Sequence, residues 1–167
     1  MPKGEFAVDG IRIGANETRN LRGKFVSRMR YQIPHTAIKH ITLFESITGA
    51  MARDCVEDNE SVAFVVEPGD MGLAIGKGGS NIQRAQRSLG RGVWVIEHSK
   101  NQADFVRNIF GPARVKNIKA MDDKTVVVEI KRGERRGMFG RNPKRIAIAK
   151  SLVKRHHGVE DIIIKTI

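Results

Sequence analysis

The sequence predicts an α+β fold made of two copies of one small unit, each a three-stranded sheet covered by helices. Three observations carry that expectation. The order helix, strand, strand, Gly-x-x-Gly, helix, strand occurs twice along the chain. A slide of 61 residues lays Gly76, Gly79 and Asn81 on Gly137, Gly140 and Asn142, and Val65 and Val66 on Val126 and Val127. Such self-similarity marks a duplicated unit of about 60 residues. Long alternating β-α-β runs, the sign of a wide parallel sheet, are absent.

The elements follow in order. Residues 1–35 show little periodicity, apart from a strand-like run in "NLRGKFVSRMRYQIP"; they form an extension without an assigned role. "TAIKHITLFESITG" sets Ile38, Ile41, Phe44 and Ile47 on one helical face and stops at Gly49. "MARDCVE" alternates as a strand does, "DNES" is a turn, and "VAFVVE" is a short β-branched strand. "SNIQRAQRSLG" reads as a helix with Ile82, Ala85 and Leu89 inward, Ser80 as its cap and Gly90 as its terminator. "VWVIEHS" closes the first unit, 36–98.

The second unit, 99–167, repeats the order. Ser99 and Gln102 form a capping box. They open a helix whose Phe105, Val106, Ile109 and Phe110 make an apolar stripe. "ARVKNIKA" and "TVVVEIK" are strands around the turn "MDDK". "PKRIAIAKSLVKRHHG" is a helix with Asn142 as cap, Pro143 in first place, and Ile146, Ala149 and Val153 inward. "EDIIIKTI" is the last strand.

Composition narrows the function. The 167 residues carry a net charge of +12. Residues 1–60 hold 9 Lys/Arg against 8 Asp/Glu, residues 61–121 hold 9 against 4, and residues 122–167 hold 12 against 6. The positive excess thus lies in the C-terminal two-thirds, where a polyanion such as nucleic acid is the expected partner. Aromatics are only 5%, too few for a platform that stacks many bases. No apolar run nears the 18 residues a membrane helix needs. The first residues lack a signal-peptide core, and the single Cys55 forms no internal disulfide, so the chain reads as cytoplasmic.

The stretch "GLAIGKGGSNI", Gly72 to Ile82, carries the chemistry. A P-loop needs four residues between its first glycine and Gly-Lys, then Ser or Thr; here three intervene before Gly76 and Gly78 follows Lys77. A dinucleotide fingerprint starting at Gly76 and Gly78 would need glycine where Asn81 stands. What remains is a Gly-x-x-Gly loop, Gly76-Lys77-Gly78-Gly79, ahead of a helix. Without Cβ atoms a phosphodiester backbone can approach the main chain. The helix start favours anionic oxygens, and Lys77 adds a mobile charge. Ser80, Asn81 and Arg84 are candidates to contact phosphate or sugar, and Ile75 and Ile82 to line a groove for bases. A module of this kind grips about four nucleotides of a single strand.

"VVEPGDMGLAIGKGGSNIQRAQRSLGRGVWVIEHS" resembles a KH domain, and "DMGLAIGKGG" with "LFESITG" upstream is similar to the archaeal NusA-like transcription factors. The resemblance spans about residues 36–167. It implies two tandem KH domains of the prokaryotic (type II) topology, and binding of single-stranded RNA in transcription termination or antitermination with RNA polymerase. No nucleophile and base are spaced to come together, so no catalysis is expected, nor a cofactor, metal, membrane or small-molecule substrate. A ribosome-associated or ribosome-assembly KH protein is the rival reading.

The second loop departs from the pattern. Gly137-Met138-Phe139-Gly140 has two bulky apolar residues where KH loops carry polar or basic ones. Met138 and Phe139 are candidates to pack against a base or against a protein surface. Their flanks are basic: Arg135, Arg136, Arg141, Lys144 and Arg145 accompany Asn142 as the second set of RNA-binding candidates, with Lys131 and Arg132 just ahead.

Other residues read as structural. Cys55 has no metal-spaced partner and is expected as a buried thiol. His156 and His157 adjoin a basic helix end, where a dipole interaction or a phosphate contact accounts for them. His35, His40 and His98 are isolated in sequence. Trp94 is expected in the core, and Asp122 and Asp123 in a turn.

Overall fold

A computed structural model describes residues 5–8, 11–14, 33–111, 114–139 and 144–167. The strand expected in "NLRGKFVSRMRYQIP" lies outside the described residues but for its last two. A short hairpin precedes it, β1 (Glu5–Val8) paired antiparallel with β2 (Ile11–Gly14).

The first module follows as α1 (His35–Thr48), β3 (Ala52–Glu57), β4 (Ser61–Val66), α2 (Met71–Ile75), a 3-10 turn (Lys77–Gly79), α3 (Ser80–Leu89) and β5 (Gly92–Glu97). The second is α4 (Gln102–Phe110), β6 (Val115–Ala120), β7 (Thr125–Ile130), α5 (Glu134–Phe139), α6 (Arg145–His157) and β8 (Asp161–Thr166). Each sheet has three strands in the order β3-β4-β5 or β6-β7-β8. In both, the first pair is antiparallel and the second parallel. This is the type II KH topology, twice.

The duplication extends to a defect. Each first strand carries a bulge, between Ala52 and Asp54 and between Val115 and Asn117. In each the residue after the bulge turns its side chain onto the next N–H. Cys55 N–H donates to Asp54 Oδ1 at 2.8 Å, and Ile118 N–H to Asn117 Oδ1 at 2.9 Å. The side-chain oxygen thereby satisfies an N–H that faces away from the middle strand, on the outer edge of the sheet.

Strand register corrects the slide of 61. Ser61 stands beside Gly92 and Thr125 beside Asp161. Val62 is thus the counterpart of Val126, an offset of 64, and Val65 and Val66 correspond to Glu129 and Ile130 rather than to Val126 and Val127. Connections of different length separate strands from loops in the two modules, so no single slide fits both.

The layers stack as helices, sheet, helices, sheet. Val62, Phe64, Val66 and Val93 face α1 and α3 in one cluster, where Phe44 stacks on Phe64 at 4.1 Å. The opposite face of that sheet, Ala63, Val65 and Ile96, belongs to a second cluster with Phe105, Val106 and Ile109 of α4, and Ile148, Leu152 and Val153 of α6. Val126, Val128, Ile130 and Ile162 of the second sheet close that cluster from the other side. The first sheet is therefore buried on both faces, which is why all six residues of β4 are buried. Apolar runs without alternation are the sequence mark of such a strand.

Helix details depart from expectation at four points. α3 is capped by Gly79, with Ser80 already in its first turn. Asn101 caps α4 by accepting the Asp104 N–H at 3.0 Å, while Ser99 Oγ takes the Asn101 N–H. The side chain nearer the helix wins because it reaches the third residue on with the ordinary cap spacing. Buried on α6 are Ile148, Ala149, Leu152 and Val153, with Ile146 only packed at the margin; on α3 only Ala85 is buried. Last, α5 runs to Phe139. Gly137, Met138 and Phe139 lie in an α-helix, whereas the residues after Gly76 form a 3-10 turn with left-handed backbone at Gly78 and Gly79. Met and Phe accept helical backbone more readily than the glycines at 78 and 79. Gly140, Arg141, Asn142 and Pro143 lie outside the described residues.

Candidate nucleic-acid interface

Around the first glycine loop the backbone is bent by residues that only glycine suits. Gly76 ends α2 with φ +73°, and Gly78 and Gly79 have φ +62° and +78°. L side chains rarely adopt such angles. A Cβ on Gly76 would stand 2.7 Å from Asn81 Cγ, so that position is closed by packing as well. Gly78 and Gly79 have nothing within 4 Å of where a Cβ would be. The loop is thus anchored at its first glycine and bare at the last two.

The anchor is Asn81. Its Nδ2 donates to Leu73 O at 2.7 Å, tying the start of α3 to the end of α2. The amide expected to meet RNA is engaged in holding the loop. α2 is itself fixed at its start: Asp70, the residue before it, accepts the Met51 N–H through Oδ2 at 2.9 Å.

Lys77, Ser80 and Arg84 are exposed, and Ser80 and Arg84, four apart, share one face of α3. Ile75 is 37% exposed and Ile82 half-buried. Leu73, at 51% exposure, joins them on α2, and sequence reasoning missed it. The signal was present: with Ala74 fully buried, a five-residue helix must turn its neighbours outward.

In the second module Arg135 and Arg136 are exposed on α5, and Lys144 is exposed just before α6. Glu134 pairs with Arg114 at 3.6 Å. Arg145 is held differently. Its guanidinium carbon lies 5.1 Å above the Trp94 ring of the first module, and burial lowers its pKa. Trp94 is half-buried against the shared core.

The histidines are not isolated, and the two on α6 do not await phosphate. His156 Nε2 lies 3.0 Å from Asp54 Oδ2, and Arg155 Nη1 donates to Asp54 Oδ1 at 3.1 Å; the Asp54 side chain is wholly buried. His157 Nε2 lies 3.0 Å from Ser99 O. His98 packs against both rings and Phe105, with Arg53 Nη1 2.9 Å from its ring. Burial, then the Arg53 charge, lowers the His98 pKa to about 3. Arg53 also grips Glu67 through two nitrogens, at 2.9 and 3.2 Å. His40 lies 3.1 Å from Glu57, which Arg91 also meets at 2.8 Å. Cys55 is buried, and burial beside Asp54 and Glu57 raises its thiol pKa. Asp122 caps the Lys124 N–H in its turn. Among the described residues no group of three or more His, Cys, Asp or Glu is placed to hold a metal ion, and no helix is long and apolar enough to cross a membrane.

Two mixed three-stranded sheets and a glycine clamp between α2 and α3 define a tandem KH protein, and the KH-domain family profile matches residues 38–136. The chain belongs to the KH-domain family, in its archaeal NusA-like branch. It is 36% identical over 137 residues to a probable transcription termination protein NusA of Methanococcus vannielii, covering 80% of this chain and 79% of that protein. A protein of the same name from Methanocaldococcus jannaschii is 37% identical, over 75% of this chain and 70% of its own length. That of Halococcus morrhuae is 34% identical, over 80% and 98%. The crystal structure of APE1850 superposes with a TM-score of 0.64 at 29% identity, covering 80% of this chain and all of that one.

Proposed function

We propose that this protein binds single-stranded RNA in transcription termination or antitermination, in association with RNA polymerase. One observation carries the binding site: Gly78 and Gly79 offer open, left-handed backbone at the start of α3, beside exposed Lys77, Ser80 and Arg84. A phosphodiester strand fits there because its oxygens meet N–H groups and cations with no Cβ in the way. Leu73, Ile75 and Ile82 form the apolar side on which bases rest. The relatives' names support the transcriptional role, and the +12 charge supports a polyanionic partner.

The reading divides the chain into modules 36–98 and 99–167 behind an extension, 1–35. Arg135, Arg136 and Lys144, with the Gly137–Gly140 segment, serve as the second contact. The protein acts by binding, without catalysis.

The test replaces Lys77 and Gly78 by Asp in the full chain. Affinity for a short single-stranded RNA should fall at least about tenfold, or ~1.4 kcal/mol, with the circular dichroism spectrum preserved and a cooperative melt lowered only by the ~1–2 kcal/mol that a side chain at Gly78 costs. Parent binding should weaken as salt rises, by about 0.7 in log K per log salt for each phosphate neutralised. Unchanged affinity in a folded double variant would refute the assignment.

A further inference from the structure

β8 is the outermost strand of the second sheet. The Asp161 N–H donates to Lys124 O at 3.1 Å and the Ile167 N–H to Ile130 O at 2.9 Å. Odd-numbered residues thus direct their backbone groups at β7, and Ile162, Ile164 and Thr166 direct theirs away from it. Among the described residues no strand pairs with that outer side. The other outer strands are blunted. β3 and β6 carry bulges, which twist an edge out of register for pairing. On β5 the outward carbonyl of Glu97 accepts Asn108 Nδ2 at 3.0 Å. On β8 the guard found among the described residues is local: Asp161 Oδ1 accepts the N–H of its neighbour Ile162 at 2.9 Å.

The strand is also complementary to itself. Laid antiparallel on a second copy with Ile163 on the two-fold axis, Asp161 faces Lys165 in both directions, on the exposed side of the sheet. Ile162 faces Ile164 on the inner side. These are residues with outward backbone groups, so each couple can exchange two N–H···O bonds, as an antiparallel pair requires, once the Ile162 N–H leaves Asp161 Oδ1 and frees that carboxylate to face Lys165 of the second copy. A slip of one residue sets outward groups against inward ones. A slip of two sets Lys165 against Ile163 and leaves the charges unmatched. Ile163 is 41% exposed, and Asp161 and Lys165 are exposed. Opposite charges across strands favour pairing, and a two-fold contact between single edges closes on itself.

We propose that β8 pairs antiparallel with β8 of a second copy of this chain, joining two three-stranded sheets into one of six strands. The dimer is weak, because one strand pair buries little surface.

Sedimentation of the full chain over a wide concentration range tests this. The mass should rise reversibly from 18.6 kDa toward twice that value. Lys165→Asp sets like charges opposite each other and should raise the dimer dissociation constant at least about tenfold; Asp161→Lys should do the same. The two single variants mixed together should dimerise as the parent does, because each supplies the charge the other lacks. Since Asp161 also holds Lys150 at 2.8 Å, melting curves accompany each variant. If Asp161→Lys unfolds, Lys165→Asp and Ile163→Lys decide. A parent that stays monomeric at the highest soluble concentration overturns the proposal. So do folded charge variants that dimerise as well as the parent.

Discussion

Asp54 Oδ2 and His156 Nε2 lie 3.0 Å apart across the boundary between the two modules. The carboxylate is fully buried and the imidazole nearly so, at 5% side-chain exposure. Its counterpart by register, Asn117, is exposed. One position after one bulge thus serves two ends: in the first sheet it receives the second module, and in the second sheet it meets solvent.

Replacing Asp54 by Ala should therefore destabilise the protein by about 1–3 kcal/mol, since it removes one buried acceptor shared by His156, Arg155 and the Cys55 N–H. Asp54→Asn keeps the bond to the Cys55 N–H and should cost less. Denaturant unfolding of the three proteins measures the difference.

Stability should fall with acid through His98. Its pKa is about 3 folded and 6.5 in an ordinary chain, so below pH 6.5 the unfolded chain takes up a proton that the folded one refuses. The contribution is intact above pH 6.5 and is lost at ~1.4 kcal/mol per pH unit as pH falls toward 3. His98→Gln should be less stable at neutral pH but flatter from pH 6.5 to 4, relative to the parent.

Two glycines of one loop should respond differently. Gly76→Ala meets Asn81 at 2.7 Å and a left-handed backbone, and should cost ~2–4 kcal/mol of stability. Gly78→Ala meets open space at φ +62° and should cost ~1–2 kcal/mol. Thermal melts separate the two.

Trp94 is the one tryptophan of the chain, so its emission reports the contact with Arg145. Arg145→Ala should change that emission and loosen the interface by ~0.5–2 kcal/mol. Lys77→Ala, on the exposed loop, should leave the emission as it is.

The first loop was legible because its signal is local: glycines at fixed spacing, an apolar lead and a helix start. The strands and the α4 stripe were legible for the same reason. The layer stack was not. Asp54, Arg155 and His156 are about a hundred residues apart, and nothing in "ARDCVE" or "VKRHH" announces that one will receive the other. Burial of β4 on both faces was visible in its unbroken apolar run, yet the covering partner was not. The helix over Met138 and Phe139 was not legible, because the shared glycine spacing suggests a loop and the helix-tolerant residues between the glycines do not.

The double burial of the first sheet has a consequence for synthesis. The amino-terminal half emerges first, with Ala63, Val65, Trp94 and Ile96 lacking the helices that will cover them. Until α4 and α6 have been made, about 60 residues further on, the nascent chain carries an uncovered apolar flank.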